Sequence, residues 1–225
     1  SASALTFATG HPLIRSTQAE PPEPTGRPKV AVLAWDVGHN PLGRANVLAE
    51  VLSRHFDVQL WGAQFERYGA TVWAPLQALD TPLNVFPGKP FPAHMRAMEQ
   101  VAGEIDADLI WVSKPRLPSY ALGILAKQLS GTPLVLDVDD HELAFFGVDE
   151  GLSVDEAIDR PAADLEWPFE RAWTQACDPL IGAADLVTVE HLQQPVRDAD
   201  DGVALVAAGR EGVRLHVGRD EEPRR

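Results

Sequence analysis

The stretch Pro133-Leu134-Val135-Leu136-Asp137-Val138-Asp139-Asp140-His141-Glu142 constrains this chain more than any other. An apolar run leads straight into four carboxylates, with one valine and one histidine between them. A continuous apolar run bounded by Gly131-Thr132-Pro133 reads as a strand buried on both faces, the pattern of a parallel sheet covered by helices. Carboxylates at the C-terminal end of such a strand stand where open α/β sheets bind ligands. A similar unit precedes it: Asp108-Leu109-Ile110-Trp111-Val112-Ser113-Lys114-Pro115 reads as a strand, and a helix is predicted over 118–130.

The same alternation extends toward the N-terminus. Val30-Ala31-Val32-Leu33-Ala34-Trp35 is a buried strand, 36–43 a loop with two glycines, and 44–55 a helix with Ala45, Leu48, Ala49 and Leu52 on one face. Residues 57–62 form a further strand, 71–74 a short one, and 93–105 a helix with Met95, Met98, Val101 and Ala102 inward. Residues 147–168 read as an acidic loop, 169–184 as largely helical with a bend at Pro179, and 185–189 as a strand. Beyond Glu190 the pattern degrades, although 203–208 and 213–217 have strand character. Strands alternating with helices imply a parallel sheet with right-handed crossovers, an α/β Rossmann-like unit with helices on both faces. Three segments result: a flexible proline-rich leader over 1–27, the Rossmann-like domain over 28–190, and a divergent or truncated C-terminal segment over 191–225.

A net charge of −14 argues against a nucleic-acid-binding surface, which needs a basic footprint. No run of 18 apolar residues exists to span a membrane, and the N-terminal residues lack the form of a secretory signal, so a cytoplasmic protein is the default expectation. The single cysteine, Cys177, excludes an intramolecular disulfide and reads as a small buried apolar residue.

Gly38-His39-Asn40-Pro41-Leu42-Gly43-Arg44 joins the first buried strand to its helix. Helix N-termini offer unpaired N–H groups, and glycine lets a ligand approach the backbone, so an anion or phosphate site is one reading. A turn that needs two flexible residues is the other. The loop is neither G-x-G-x-x-G nor a P-loop.

Lys29 to Asp36, followed by Gly43-Arg44-Ala45, resembles the opening of bacterial family-4-like glycosyltransferases of the GT-B fold. Val112-Ser113-Lys114-Pro115, Pro118-Ser119 and the run from Gly131 to Glu142 are similar to a "KP…PS…G-x-P-L-V-L-D-x-D-D-x-E" pattern in one branch of that family, and Ala184-Asp185-Leu186-Val187-Thr188-Val189 to its "A-D-x-V-T-V" strand. The resemblance covers about residues 28–190. It implies the N-terminal, acceptor-side half of an enzyme that moves a sugar from a nucleotide-sugar donor to an acceptor with retention of configuration. It implies no metal and no cofactor, a glycine loop facing the donor phosphates, and a second half, in the same or a separate chain, that holds most of the donor site.

On this reading Asp139, Asp140, His141 and Glu142 are the candidate catalytic residues. Gly38, His39, Asn40, Gly43, Arg44, Lys114 and Asp137 are the candidate substrate-binding residues. Four carboxylates so close repel one another unless water, a cation or a base neutralises them. Asp137 and Asp139 fall on the same side of a strand. Asp139 or Asp140 has the alternative of capping the next helix. Lys114 has two options, an anionic acceptor or an ion pair with Asp137. Arg44, a cation in the first turn of a helix where the dipole disfavours it, calls for a ligand or a carboxylate partner. Among the tryptophans, Trp35 stands at the strand end beside the loop. With no second half opposite, these residues are expected to be largely solvent-accessible around a shallow groove. Two other functions remain open: a non-catalytic accessory or binding domain that pairs with a separate catalytic chain, and a phosphate-ester hydrolase built on Asp137 and Asp139.

Overall fold

The computed structural model describes residues 13–17, 26–90, 93–160, 171–189, 204–209 and 212–216. Strands β1 (Arg15–Ser16), β2 (Lys29–Ala34), β3 (Asp57–Gln64), β4 (Leu83–Pro87), β5 (Leu109–Ser113), β6 (Leu134–Val138), β7 (Leu186–Val189), β8 (Ala204–Gly209) and β9 (Gly212–His216) form one sheet in the order β1-β4-β3-β2-β5-β6-β7-β8-β9. The six strands from β4 to β7 in that order are parallel, and β1, β8 and β9 add antiparallel edges. The helices are α1 (Pro41–Leu52), α2 (Ala93–Ala102), α3 (Leu117–Ser130), α4 (Val154–Ile158) and α5 (Arg171–Cys177). The fold is α/β and Rossmann-like.

Strand β2 shows why both faces must be covered. Val30, Val32 and Ala34 pack with Leu42, Ala45 and Ala49 of α1, whereas Ala31, Leu33 and Trp35 pack with Met98, Tyr120, Leu122 and Ala176 on the opposite face. A strand with apolar residues on both sides loses far less by being sandwiched than by facing water. Helix α3 lies close to the sheet because residue 123 is glycine: a Cβ there would stand 2.6 Å from a Val112 methyl and 3.0 Å from Leu134 Cδ1. Its C-terminus is closed by Gly131 at φ 74°, whose N–H donates to the Lys127 carbonyl at 2.8 Å.

Several expected boundaries move. Helix α1 begins at Pro41 instead of residue 44, because proline at N1 presets φ and lacks an N–H that has no helical partner there anyway. Residues 71–74 form no strand; Trp73 precedes a 3-10 turn, Ala74–Leu76. The strand of this region is β4, whose short run between Pro82 and Pro87 carries an asparagine and gives little periodic signal. Part of the expected leader belongs to the sheet. Arg15 and Ser16 pair with Val85 and Asn84, and Ile14 is fully buried. The rest of the leader, 1–12 and 18–25, lies outside the described residues.

The acidic loop contains α4, introduced by a capping box in which Ser153 and Glu156 satisfy each other's backbone N–H groups. Residues 171–183 are helical, passing into a 3-10 segment at Asp178–Ala183 where Pro179 stands. The two stretches of strand character near the C-terminus are β8 and β9, paired antiparallel because no crossover helix separates them. Cys177 is buried, and burial pushes its thiol up to about 12. No described helix is long and apolar enough to cross a membrane.

His94 on α2 is fully buried between Phe65 and Phe86, and desolvation lowers its pKa to about 3. A histidine that ionises near pH 6.5 unfolded but near 3 folded favours the native state fully above 6.5, and that contribution is lost as pH falls toward 3. Urea titrations between pH 6.5 and 4 should therefore show a component of about 1.4 kcal/mol lost per pH unit. That component should be absent in His94→Phe; equal acid slopes in the two proteins would contradict it.

Candidate functional site

Chain order on the sheet reverses between β2 and β5. From β2 the chain passes through α1 to β3 and on to β4 on one side; from β5 it passes through α3 to β6 and on to β7 on the other. The loops leaving neighbouring C-terminal strand ends at such a point diverge and leave a crevice. A groove of about 400 Å³ lies there, walled by Trp35, His39 and Asn40 after β2, by Lys114 and Arg116 after β5, and by Tyr68 and Phe146 from flanking turns.

The loop after β2 is organised around Asp36, which is fully buried. Its carboxylate accepts the Gly38 N–H at 2.6 Å, the Phe65 N–H at 3.0 Å and a contact from His39 Nδ1 at 2.7 Å. The His39 ring stacks on Tyr68 with centroids 4.1 Å apart and meets Trp35 edge-on at 4.8 Å. Asn40 is exposed at the rim.

The expected phosphate cradle is altered by this arrangement. The Gly38 amide is committed to Asp36, Pro41 has no N–H, and the amides of Leu42 and Gly43 donate to the carbonyls of His39 and Asn40 at 3.2 and 2.8 Å. Gly43 sits within the first turn of α1, where a Cβ would stand 3.2 Å from the Trp73 ring; close packing accounts for that glycine.

Arg44 has the carboxylate partner its position calls for. Its Nε donates to Asp137 Oδ2 at 2.9 Å and a terminal nitrogen to Oδ1 at 3.3 Å, while Nε lies 3.8 Å from Asp139. Thr188 of β7 also donates to Asp137 Oδ1, at 2.8 Å. Asp137 is 3% exposed and closed to ligands. Lys114 does not pair with Asp137. Its ammonium meets Asp139 at 3.1 Å, Glu142 at 3.3 Å and also Asp140, while Arg116 pairs with Glu142 and lies over the rings of Trp35 and Phe146. Burial works against the Lys114 charge, but the hydrogen bond to Asp140 and the charges of Glu142 and Asp139 outweigh it, so its pKa is raised. Lys114 itself has φ 75°, a left-handed conformation rare for a residue with a Cβ, at the turn from β5 toward α3.

The expectation of a largely solvent-accessible acidic cluster is corrected here. Trp35, expected in the open with them, is buried too; Asp137 and Glu142 are buried, and Asp139 and Asp140 are half-buried. The cations that suppress repulsion among these carboxylates come from α1, from the end of β5 and from the residue before α3, so closing the fold brings them in. Neither Asp139 nor Asp140 caps a helix: His141 precedes the 3-10 turn Glu142–Phe146 and no side-chain cap is made. His141 is exposed. Carboxylate oxygens of Asp139, Asp140 and Glu142 lie within 4.8 Å of one another, close enough to share a cation, and Lys114 meets all three. A second groove of about 260 Å³ lies on the far side of this wall, with Val138, Leu143, Ile181 and Val189 among its apolar lining. Asp140 and Glu142 line both grooves.

No family model and no curated protein matches the chain.

The groove thus gathers His39, Asn40, Lys114, Asp140 and Glu142 of the expected residues, and leaves Gly38, Gly43, Arg44, Asp137, Asp139 and His141 out of its walls. Sequence reading misses Asp36, Tyr68, Arg116 and Thr188. Asp36 carries a usable signal, an acidic residue that ends the apolar run Val30–Trp35 as Asp137 ends the run Leu134–Leu136. Arg44→Ala should destabilise the protein by about 3 kcal/mol, because it leaves a buried carboxylate without its cation. Asp137→Asn in that background should recover part of the loss. Urea midpoints of the three proteins check this, and an Arg44→Ala midpoint equal to wild type would refute it.

Proposed function

We propose that this chain is the acceptor-side unit of a GT-B-type glycosyltransferase and that the switch-point groove holds a sugar acceptor. The observation that carries the reading is the composition of that groove: the aromatic side chains of Tyr68, Phe145 and Phe146 beside the polar groups of His39, Asn40 and Asp140, with Trp35 buried behind them. A pyranose ring has apolar C–H faces and a rim of hydroxyls. It suits a concave site that offers flat apolar surface and a few placed donors and acceptors. The Rossmann-like fold and the strand-end pattern from Lys114 to Glu142 support the same reading.

In this account Asn40, His39 and Asp140 meet acceptor hydroxyls, while Arg44 and Asp137 hold the floor beneath them. Lys114 and Arg116 hold Asp139, Asp140 and Glu142 in place. The nucleotide-sugar donor binds mainly to a second Rossmann-like unit across the cleft, whether in the same polypeptide or another. Expulsion of the diphosphate is helped by fixed dipoles and charges there.

A second reading, a non-catalytic binding domain that docks on a separate catalytic chain, is favoured by one observation. The cluster carboxylates are all engaged by cations, which suits architecture as well as chemistry. The hydrolase reading loses its nucleophile, because Asp137 is enclosed by Arg44 and Thr188.

Calorimetric titration tests the proposal. Methyl glycosides should bind weakly, with Tyr68→Ala abolishing the heat. Uridine, guanosine and deoxythymidine diphosphosugars should bind at best weakly, and more tightly when a donor-binding unit is supplied in trans. Submicromolar affinity of the chain alone for any diphosphosugar would overturn the acceptor-side assignment, since one open groove cannot enclose a donor.

A further inference from the structure

We propose that the second groove, on the far side of the acidic wall, is a binding site for an organic cation: a primary ammonium carried on a short apolar body. The inference does not rest on the transferase reading, because Asp140 and Glu142 separate this site from the groove assigned to the acceptor.

The wall is short of positive charge. Asp137, Asp139, Asp140 and Glu142 are met by three cations, Arg44, Lys114 and Arg116. Asp178, exposed and lining the second groove, adds a further carboxylate. The Lys114 ammonium is shared most widely. It hydrogen-bonds to Asp140 and stands 3.1 Å from Asp139 and 3.3 Å from Glu142 Oε1. Glu142 is only 4% exposed, and its Oε1 completes no hydrogen bond among the described residues. An enclosed carboxylate oxygen that accepts nothing keeps its desolvation penalty, so further positive charge beside it is favourable.

The second groove is where that charge fits. Asp139, Asp140 and Glu142 all line it, whereas Lys114 and Arg116 line the first groove and not this one. No lysine or arginine stands among the described residues around it. A cation entering here meets the carboxylates from the side that the resident cations leave uncovered. The Asp140 side chain, 44% exposed, is open enough to receive it. Oxygens of Asp139, Asp140 and Glu142 lie within 4.8 Å of one another, so a single ammonium interacts with all three.

The rest of the groove decides the kind of cation. Val138, Leu143, Ile181 and Val189 give it an apolar side. A divalent metal ion keeps a shell of water and oxygen ligands, for which that side offers no partner. An alkylammonium instead buries its chain there and points its charged end at the carboxylates, as a lysine side chain does on a protein surface. At about 260 Å³ the groove has room for a ligand the size of hexylamine. An alcohol of the same length gains the apolar contact without the ion pair.

Methyl spectra of the full chain, labelled at the isoleucine δ1 positions, test this with hexylammonium chloride as the probe, at about pH 8 where alkylamines are charged. The Ile181 signal is assigned by its loss in Ile181→Val. It should move saturably at millimolar hexylammonium. Hexan-1-ol should bind more weakly by about tenfold or more, the worth of a charge-assisted contact. Asp140→Asn should lower hexylammonium affinity by about tenfold and leave that for hexanol unchanged. The comparison of the two probes on the wild type needs no variant, so it decides even if Asp140→Asn fails to fold. Equal affinity for amine and alcohol would overturn the proposal, and so would an Ile181 signal that hexylammonium leaves unmoved. Magnesium chloride should not move that signal; displacement of hexylammonium by millimolar magnesium would make this a metal site and sink the organic-cation assignment.

Discussion

Arg44, Lys114 and Arg116 reach one strip of the sheet edge from different elements, and between them they neutralise Asp137, Asp139, Asp140 and Glu142. Without them the acidic end of β6 would repel itself apart. With them the same residues become a wall that joins α1, β5, β6 and β7 across the point where strand order reverses. The Arg44–Asp137–Thr188 chain is the clearest case, since it ties a helix on one face of the sheet to two neighbouring strand ends. The groove exists because these loops are pulled into fixed positions. The short-range packing of β2 and α3 supplies the rigid platform beneath.

This division between platform and wall also explains what sequence reading reached. Strands β2, β3, β5, β6 and β7 are legible because each is an apolar run flanked by turn residues, and burial on both faces leaves no other use for such a run. Strand β4 is hidden by its asparagine and its prolines, and β1 by its brevity amid a proline-rich segment. Helix α4 was readable from Ser153-Val154-Asp155-Glu156, a capping-box spacing, though the surrounding acidity suggests a loop.

The site itself is less legible. The acidic cluster stands out by density, and the need of Arg44 for a carboxylate follows from helix electrostatics, so the pairing of these two regions is half-visible in advance. Which carboxylate each cation takes is not. Arg116, Tyr68 and Thr188 lie far along the chain from the residues they touch, and only the crossing of loops at the sheet edge brings them together. Asp36 is overlooked for another reason. A single acid between a tryptophan and a valine looks unremarkable beside a run of four, yet it is the most buried carboxylate described here.

Asp36 gives the first loop an electrical character opposite to that of a phosphate-binding turn. Where such turns aim amides outward and present a positive hollow, this one folds the Gly38 and Phe65 amides inward onto a resident negative charge. The chain supplies its own counterion. A phosphate arriving at this loop would find the amides of Gly38, Leu42 and Gly43 already taken and no backbone hollow to enter.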